Sequence, residues 1–240
     1  MSETDTAAQT FAERLAAVRA RVAAACARAG RAPEEVRILP VGKTHGPEVI
    51  AEAVEAGVTC IGENRVQEAR QKAPLCPSGI EWHLIGHLQS NKVRPAVDLF
   101  CMMHAVDSLR LAQRIDAVCG EAGKTMPVCL QVNVSGEASK FGMPPEDVPG
   151  ALESAGSLMN IDVVGLMTIP PFTPEPADAR PFFRRLRELR DRSAAETGVM
   201  LPELSMGMSR DFEVAVEEGA TVIRPGTVLF GKRGGQRGGA

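Results

Sequence analysis

Lys43 follows a short apolar run, Arg37-Ile38-Leu39-Pro40-Val41-Gly42. At the end of a buried strand, lost hydration disfavours an ammonium and frees a nucleophilic amine suited to a Schiff base with a carbonyl compound. The same position also suits a lysine that merely extends its stem and carries its charge to water, so position alone leaves both readings open. Gly42-Lys43-Thr44 is similar to the end of a P-loop, but Arg37 stands where that motif needs its first glycine. Two other stretches, Ser205-Met206-Gly207-Met208-Ser209 and Arg224-Pro225-Gly226-Thr227, combine glycine, hydroxyls and backbone N–H groups just ahead of helical patterns. That combination suits an anion. Of histidines 45, 83, 87 and 104, the pair 83 and 87 has H-x₃-H spacing. Their segment reads as a strand, where four residues span about 13 Å. Two zinc ligands must each come within about 2.0–2.1 Å of the ion, so no metal site is expected.

These residues meet only if the fold gathers strand ends. Strand-like runs at 36–42, 59–62, 81–85, 100–106, 128–134, 161–167, 204–206 and 221–224 alternate with helical patterns at 47–56, 64–73, 88–97, 108–121, 146–156, 176–196 and 209–218. Phe11, Leu15, Val18 and Val22 form the apolar face of an additional N-terminal helix that stops near Gly30. Alternation implies parallel strands with right-handed crossovers. Eight units fit an α/β fold, a single (β/α)₈ TIM barrel, whose site lies at the C-terminal strand ends and often holds phosphate after strands seven and eight. One barrel domain is expected over 6–231 and a flexible Gly-rich tail over 232–240. The segment 180–192 is rich in arginine, but its Phe182, Phe183, Leu186 and Leu189 stripe marks an outer barrel helix.

The 240 residues are 44% hydrophobic and 24% charged, with a net charge of −3. This balance argues against nucleic acid or an anionic membrane as partner. No apolar run approaches the ~18 residues of a membrane span, and the acidic start Met1-Ser2-Glu3-Thr4-Asp5 is unlike a signal peptide. Six cysteines without a C-x-x-C pair suggest reduced thiols, and hence a cytoplasmic location.

Several segments together resemble the pyridoxal phosphate homeostasis proteins, the YggS/PROSC family. They are VGKT (41–44), IGENRVQEA (61–69), WHLIGHLQSNKVR (82–94), AVDS (105–108), VNVSGEASKFGM (132–143), GLMTIP (165–170) and LSMGMSRDFEVAVEEGATVIRPGTVLFG (204–231). The resemblance implies a barrel like the N-terminal domain of alanine racemase, with pyridoxal 5′-phosphate held covalently by Lys43. It implies that Ser205 and Met206 meet the phosphate from one side and Gly226 and Thr227 from the other. Arg224 would lie beside the pyridine nitrogen, with Asn64 and His83 near the ring. The chain departs from the usual family pattern at Gly42, His45 and Pro225. Pro225 has no N–H to give a phosphate.

The expected function is to buffer or deliver pyridoxal phosphate, with no substrate turnover and no catalytic residue. The partners are the cofactor itself and, as candidate recipients, pyridoxal phosphate-dependent apo-enzymes; the chain is expected to be a monomer. The alternative is a pyridoxal phosphate-dependent amino-acid racemase. A racemase of the alanine racemase type sets a tyrosine opposite the lysine, and this chain contains no tyrosine.

Overall fold

The computed structural model describes residues 9–137 and 140–231. The expected tail at 232–240, like residues 6–8, lies outside the described residues. Helix α1 (Phe11–Ala29) opens with a capping box in which Thr10 Oγ accepts from Glu13 N and the Glu13 carboxylate accepts from Thr10 N. It ends at Gly30 in the left-handed conformation, as its sequence position suggested. Its apolar face continues the expected stripe through Ala25 and Cys26 and packs on the last two helices of the chain.

Eight parallel strands follow: β1 (Arg37–Ile38), β2 (Cys60–Glu63), β3 (Glu81–Leu84), β4 (Met102–Val106), β5 (Met126–Gln131), β6 (Ile161–Met167), β7 (Glu203–Ser205) and β8 (Val222–Ile223). Between and after them run α2 (Pro47–Glu55), α3 (Val66–Lys72), α4 (Val93–Leu99), α5 (Leu109–Ala122), α6 (Val148–Ala155), α7 (Arg180–Thr197), α8 (Phe212–Glu217) and α9 (Thr227–Phe230). The strand order is β1-β8-β7-β6-β5-β4-β3-β2. The two ends of this order meet just past β1, where Gly62 N donates to Pro40 O at 2.8 Å and Gly42 N to Gly62 O at 3.0 Å. The sheet therefore closes into the expected (β/α)₈ barrel. Strand β1 is shorter than the apolar run at 36–42 because Pro40 cannot donate to the ladder. Its neighbours Leu39 and Val41 still donate to Ile223 O and Pro225 O.

Alternation along the strands divides two layers. Trp82, Leu84, Met103, Val128, Leu204, Met206 and Ile223 belong to the large core between sheet and helices. Leu39, Val41, Cys60, Ile85 and Val222 form a small cluster inside the barrel, and Met102, Cys129 and Met167 another. Helix α7 buries Phe183, Leu186 and Leu189, while Phe182 is only half-buried. Its Arg180, Arg184 and Arg187 lie 3.0–3.1 Å from Glu218, which follows α8. The arginine-rich segment is thus the wall of the barrel, tied to its neighbour. Among the described residues no helix is long and apolar enough to cross a membrane, and all six cysteines are free.

Candidate functional site

A cavity of about 780 Å³ opens at the C-terminal ends of the strands. Of the residues singled out in the sequence, it gathers Lys43, Asn64, Arg224, Gly226 and Thr227. Lys43 is exposed in the turn between the β1 run and α2, which matches the reading in which its stem carries it out to water rather than the desolvated one. The strand carries it only to the rim. Arg224 is 3% exposed and points inward, like Val222 two residues earlier. It donates to Ser205 Oγ at 2.7 Å and Thr168 O at 2.8 Å. Burial pulls its pKa down to about 10, so it stays charged at neutral pH. Among the described residues it has no carboxylate within salt-bridge distance, and it lines the cavity as a buried cation in want of an anion or a lone pair.

Three expected positions do not reach the cavity. Ser205 is the last residue of β7, fully buried inside the barrel, and its Oγ is engaged by Arg224 and by His104 Nδ1 at 2.7 Å. Met206 turns outward into the large core, and its N–H is spent on Val222 O. Neither belongs to the cavity lining. His83 is also interior, with Nδ1 3.0 Å from His104 Nε2. Burial lowers its pKa to about 4 and that of His104 well below the ordinary value, so both rings are neutral at pH 7. His83, His104, Ser205 and Arg224 form one hydrogen-bonded chain through the barrel toward the cavity.

The turn that does reach the cavity begins two residues later. Gly207 has φ +93, and an added Cβ would lie 2.6 Å from Ala215 Cβ, so only glycine permits this bend. Beyond it, Met208, Ser209, Arg210 and Asp211 line the mouth. Ser209 Oγ accepts from Gly226 N at 3.0 Å and Val228 N at 3.4 Å, joining the two glycine turns. Thr227 opens α9, where Leu229 N and Phe230 N donate to Gly226 O at 2.9 Å. Ser209 was legible as part of the run 205–209, whereas the family resemblance pointed to Ser205 and Met206, which the sequence already placed in the strand-like run 204–206.

Among the described residues the lining carries four cationic side chains, Lys43, Lys140, Arg210 and Arg224, against one carboxylate, Asp211. Asp211 Oδ1 already accepts from Met208 N at 2.6 Å. The rim is apolar, with Phe141 stacked on His87 at 4.2 Å and Arg210 over the Phe172 ring at 4.6 Å. His87 Nδ1 lies 2.9 Å from Asp107 Oδ2. The H-x₃-H pair is thus divided between the interior and the mouth. Among the described residues the one group of three potential metal ligands within 4.8 Å is Glu81, His83 and Cys101, at the opposite end of the strands. Such a site, an anion-seeking turn beside an amine at the mouth of a parallel barrel, can hold a phosphorylated carbonyl compound.

Residues 14–234 match the family model described as alanine racemase, N-terminal domain. The pyridoxal phosphate homeostasis protein of Aquifex aeolicus (strain VF5) is 47% identical over 222 residues, covering 92% of this chain and 97% of that one. That of Escherichia coli (strain K12) is 37% identical, covering 93% and 97%. The structure of PipY from Synechococcus elongatus PCC7942 superposes with a TM-score of 0.84 without PLP and 0.81 with PLP bound, at 40% identity, covering 92% of this chain and all of PipY. Alanine racemase of Clostridium difficile 630 matches at a TM-score of 0.71 and 16% identity, which shows a shared fold; this chain covers 56% of it. The chain belongs to the alanine racemase N-terminal domain family and, within it, to the pyridoxal phosphate homeostasis proteins.

Proposed function

We propose that this protein binds pyridoxal 5′-phosphate in the barrel mouth and buffers or delivers it, turning over no substrate of its own. One observation carries the reading: an amine, a buried arginine and a pair of joined glycine turns line a single cationic cavity. The cofactor supplies an aldehyde and an electron-accepting ring. Lys43 would hold the cofactor through that aldehyde, its amine condensing with it with loss of water. Ser209 and Thr227, on the two turns joined at Gly226, would hold the phosphate, and Asn64 would flank the ring. Arg224 faces the ring nitrogen, where it can only donate and so leaves that nitrogen unprotonated, a poor state for carbanion chemistry.

Delivery fits the open mouth. An enzyme closes its site against water, whereas Lys43 is exposed and Phe141 and Phe172 at the rim are 58% and 78% exposed. Water and a recipient apo-enzyme can both reach the bond to Lys43. A cytoplasmic monomer suits this role. The second reading, an amino-acid racemase, draws on His87 at the mouth, which Asp107 orients as an acid/base.

The deciding experiment is borohydride reduction of the loaded protein followed by peptide mapping. The cofactor is expected on Lys43 at one per chain and lost in Lys43→Ala. Wild-type yield on another single lysine overturns the assignment. Incubation of the loaded protein with amino acids should give no racemisation or transamination; turnover on the order of 1 s⁻¹, typical of enzymes using this cofactor, establishes the second reading.

A further inference from the structure

The turn that bears Lys43 is held on both sides by one cluster of charged groups behind it. Lys72, 6% exposed at the end of α3, donates to Gly42 O at 2.8 Å, Glu63 Oε1 at 2.6 Å and Glu68 Oε1 at 3.1 Å. Glu68 Oε1 in turn accepts from Thr44 N. The residues before and after Lys43 are therefore both bonded to side chains of one segment, 63–72.

Two backbone features show that the turn needs this hold. Thr44 has φ 66, a conformation that β-branched residues rarely adopt. At Gly42 an added Cβ would lie 2.8 Å from Ile50 Cδ1 and 3.1 Å from Glu63 Oε1. The cluster closes on the turn because the residue before the lysine has no side chain. Glu63, Glu68 and Lys72 are absent from the cavity lining, so they touch no ligand there. Glu63, completely buried, and Glu68 both accept from the Lys72 ammonium, as a buried lysine requires.

We propose that Glu63, Lys72 and Glu68 are positioning residues that fix the direction in which Lys43 leaves the barrel rim. This rests on the reading that Lys43 bonds a carbonyl ligand. An amine held in a near-attack geometry gains rate that a misplaced one forfeits. The cluster should govern the covalent step and leave non-covalent binding almost untouched.

The test compares wild type with Glu68→Ala, Glu68→Gln and Lys72→Met. Covalent attachment of pyridoxal 5′-phosphate is followed by absorbance. Binding of pyridoxine 5′-phosphate, which has an alcohol in place of the aldehyde, is measured by calorimetry. Glu68→Ala and Lys72→Met are expected to slow attachment by about tenfold or more while changing the pyridoxine 5′-phosphate Kd by less than about threefold. Glu68→Gln keeps an oxygen for Thr44 N and should restore most of the rate. Amide hydrogen exchange on the ligand-free protein gives a second readout: Glu68→Ala should lose at least about tenfold protection at Thr44. Attachment at the wild-type rate in Glu68→Ala, or unchanged Thr44 exchange, overturns the proposal. If wild type attaches no cofactor while Thr44 exchange responds as expected, the cofactor reading fails and the clamp on the turn stands. Should Lys72→Met not fold, the two Glu68 variants decide the matter.

Discussion

Two buried polar systems approach the cavity from opposite faces of the sheet, and they handle charge in opposite ways. Inside the barrel, His83, His104, Ser205 and Arg224 form a chain with one permanent cation, two neutral rings and no carboxylate. Behind the sheet, Glu63, Lys72 and Glu68 set two carboxylates around one ammonium. The interior chain leaves Arg224 without a counter-charge and directs that deficit at the cavity. The outer cluster satisfies its lysine and spends the bonding on the backbone around Lys43. The difference teaches which buried charge serves a ligand and which serves the chain. An ion that has its partner within the protein positions; one that lacks a partner recruits.

Removing a partner should expose this contrast most strongly at Glu63. Glu63→Leu leaves Lys72 buried with half its support, at a cost of about 3–5 kcal/mol. Thermal unfolding should fall by about 10 °C at this chain length, and a drop below about 2 °C would mean that the pair contributes little.

The two systems should also titrate in opposite senses. His83 has a folded pKa of about 4 against 6.5 unfolded. Its contribution is present above pH 6.5 and is lost as pH falls through about 4, worth about 3 kcal/mol when complete. Burial raises Glu63 from 4.5 to about 7, and its Oε2 has no hydrogen-bond partner among the described residues. Its contribution is present below pH 4.5 and is lost as pH rises through about 7. Between pH 6.5 and 4.5 the two offset each other. Urea unfolding across that window should show a shallow wild-type profile, an acid loss in Glu63→Gln and a gain of stability toward acid in His83→Asn. Three parallel profiles would show that neither group titrates as described.

Ser205 and Ser209 give a finer contrast. Ser205→Ala leaves Arg224 and His104 without their shared oxygen and should cost about 1–3 kcal/mol of stability, with affinity for a phosphate-free ligand such as pyridoxal falling as much as for the phosphorylated one. Ser209→Ala should have the smallest stability effect, within about 1 kcal/mol. Its loss should instead appear as roughly tenfold weaker binding of pyridoxal phosphate, with pyridoxal affected far less. Equal losses for both ligands would remove Ser209 from the phosphate site.

Periodicity sufficed for the barrel, because eight alternating apolar runs must each bury a strand. The N-terminal helix was legible for the same reason from its Phe11, Leu15, Val18 and Val22 stripe, with Gly30 supplying the left-handed stop. Lys43, Arg224, Gly226 and Thr227 could be placed at strand ends from local pattern. Ser205 and Met206 fell within the strand-like run 204–206, but that β6 and β8 pair with them and hold them away from the cavity is tertiary. The short helix α9 was missed, its four residues carrying too little periodicity to read. Nothing in the local pattern singled out Lys72, which the fold buries, and position alone left open whether Lys43 is buried or reaches water; the fold exposes it. Sequence determined which residues could carry chemistry. Only packing decided which were hidden and which met, because burial and charge pairing depend on neighbours far away along the chain.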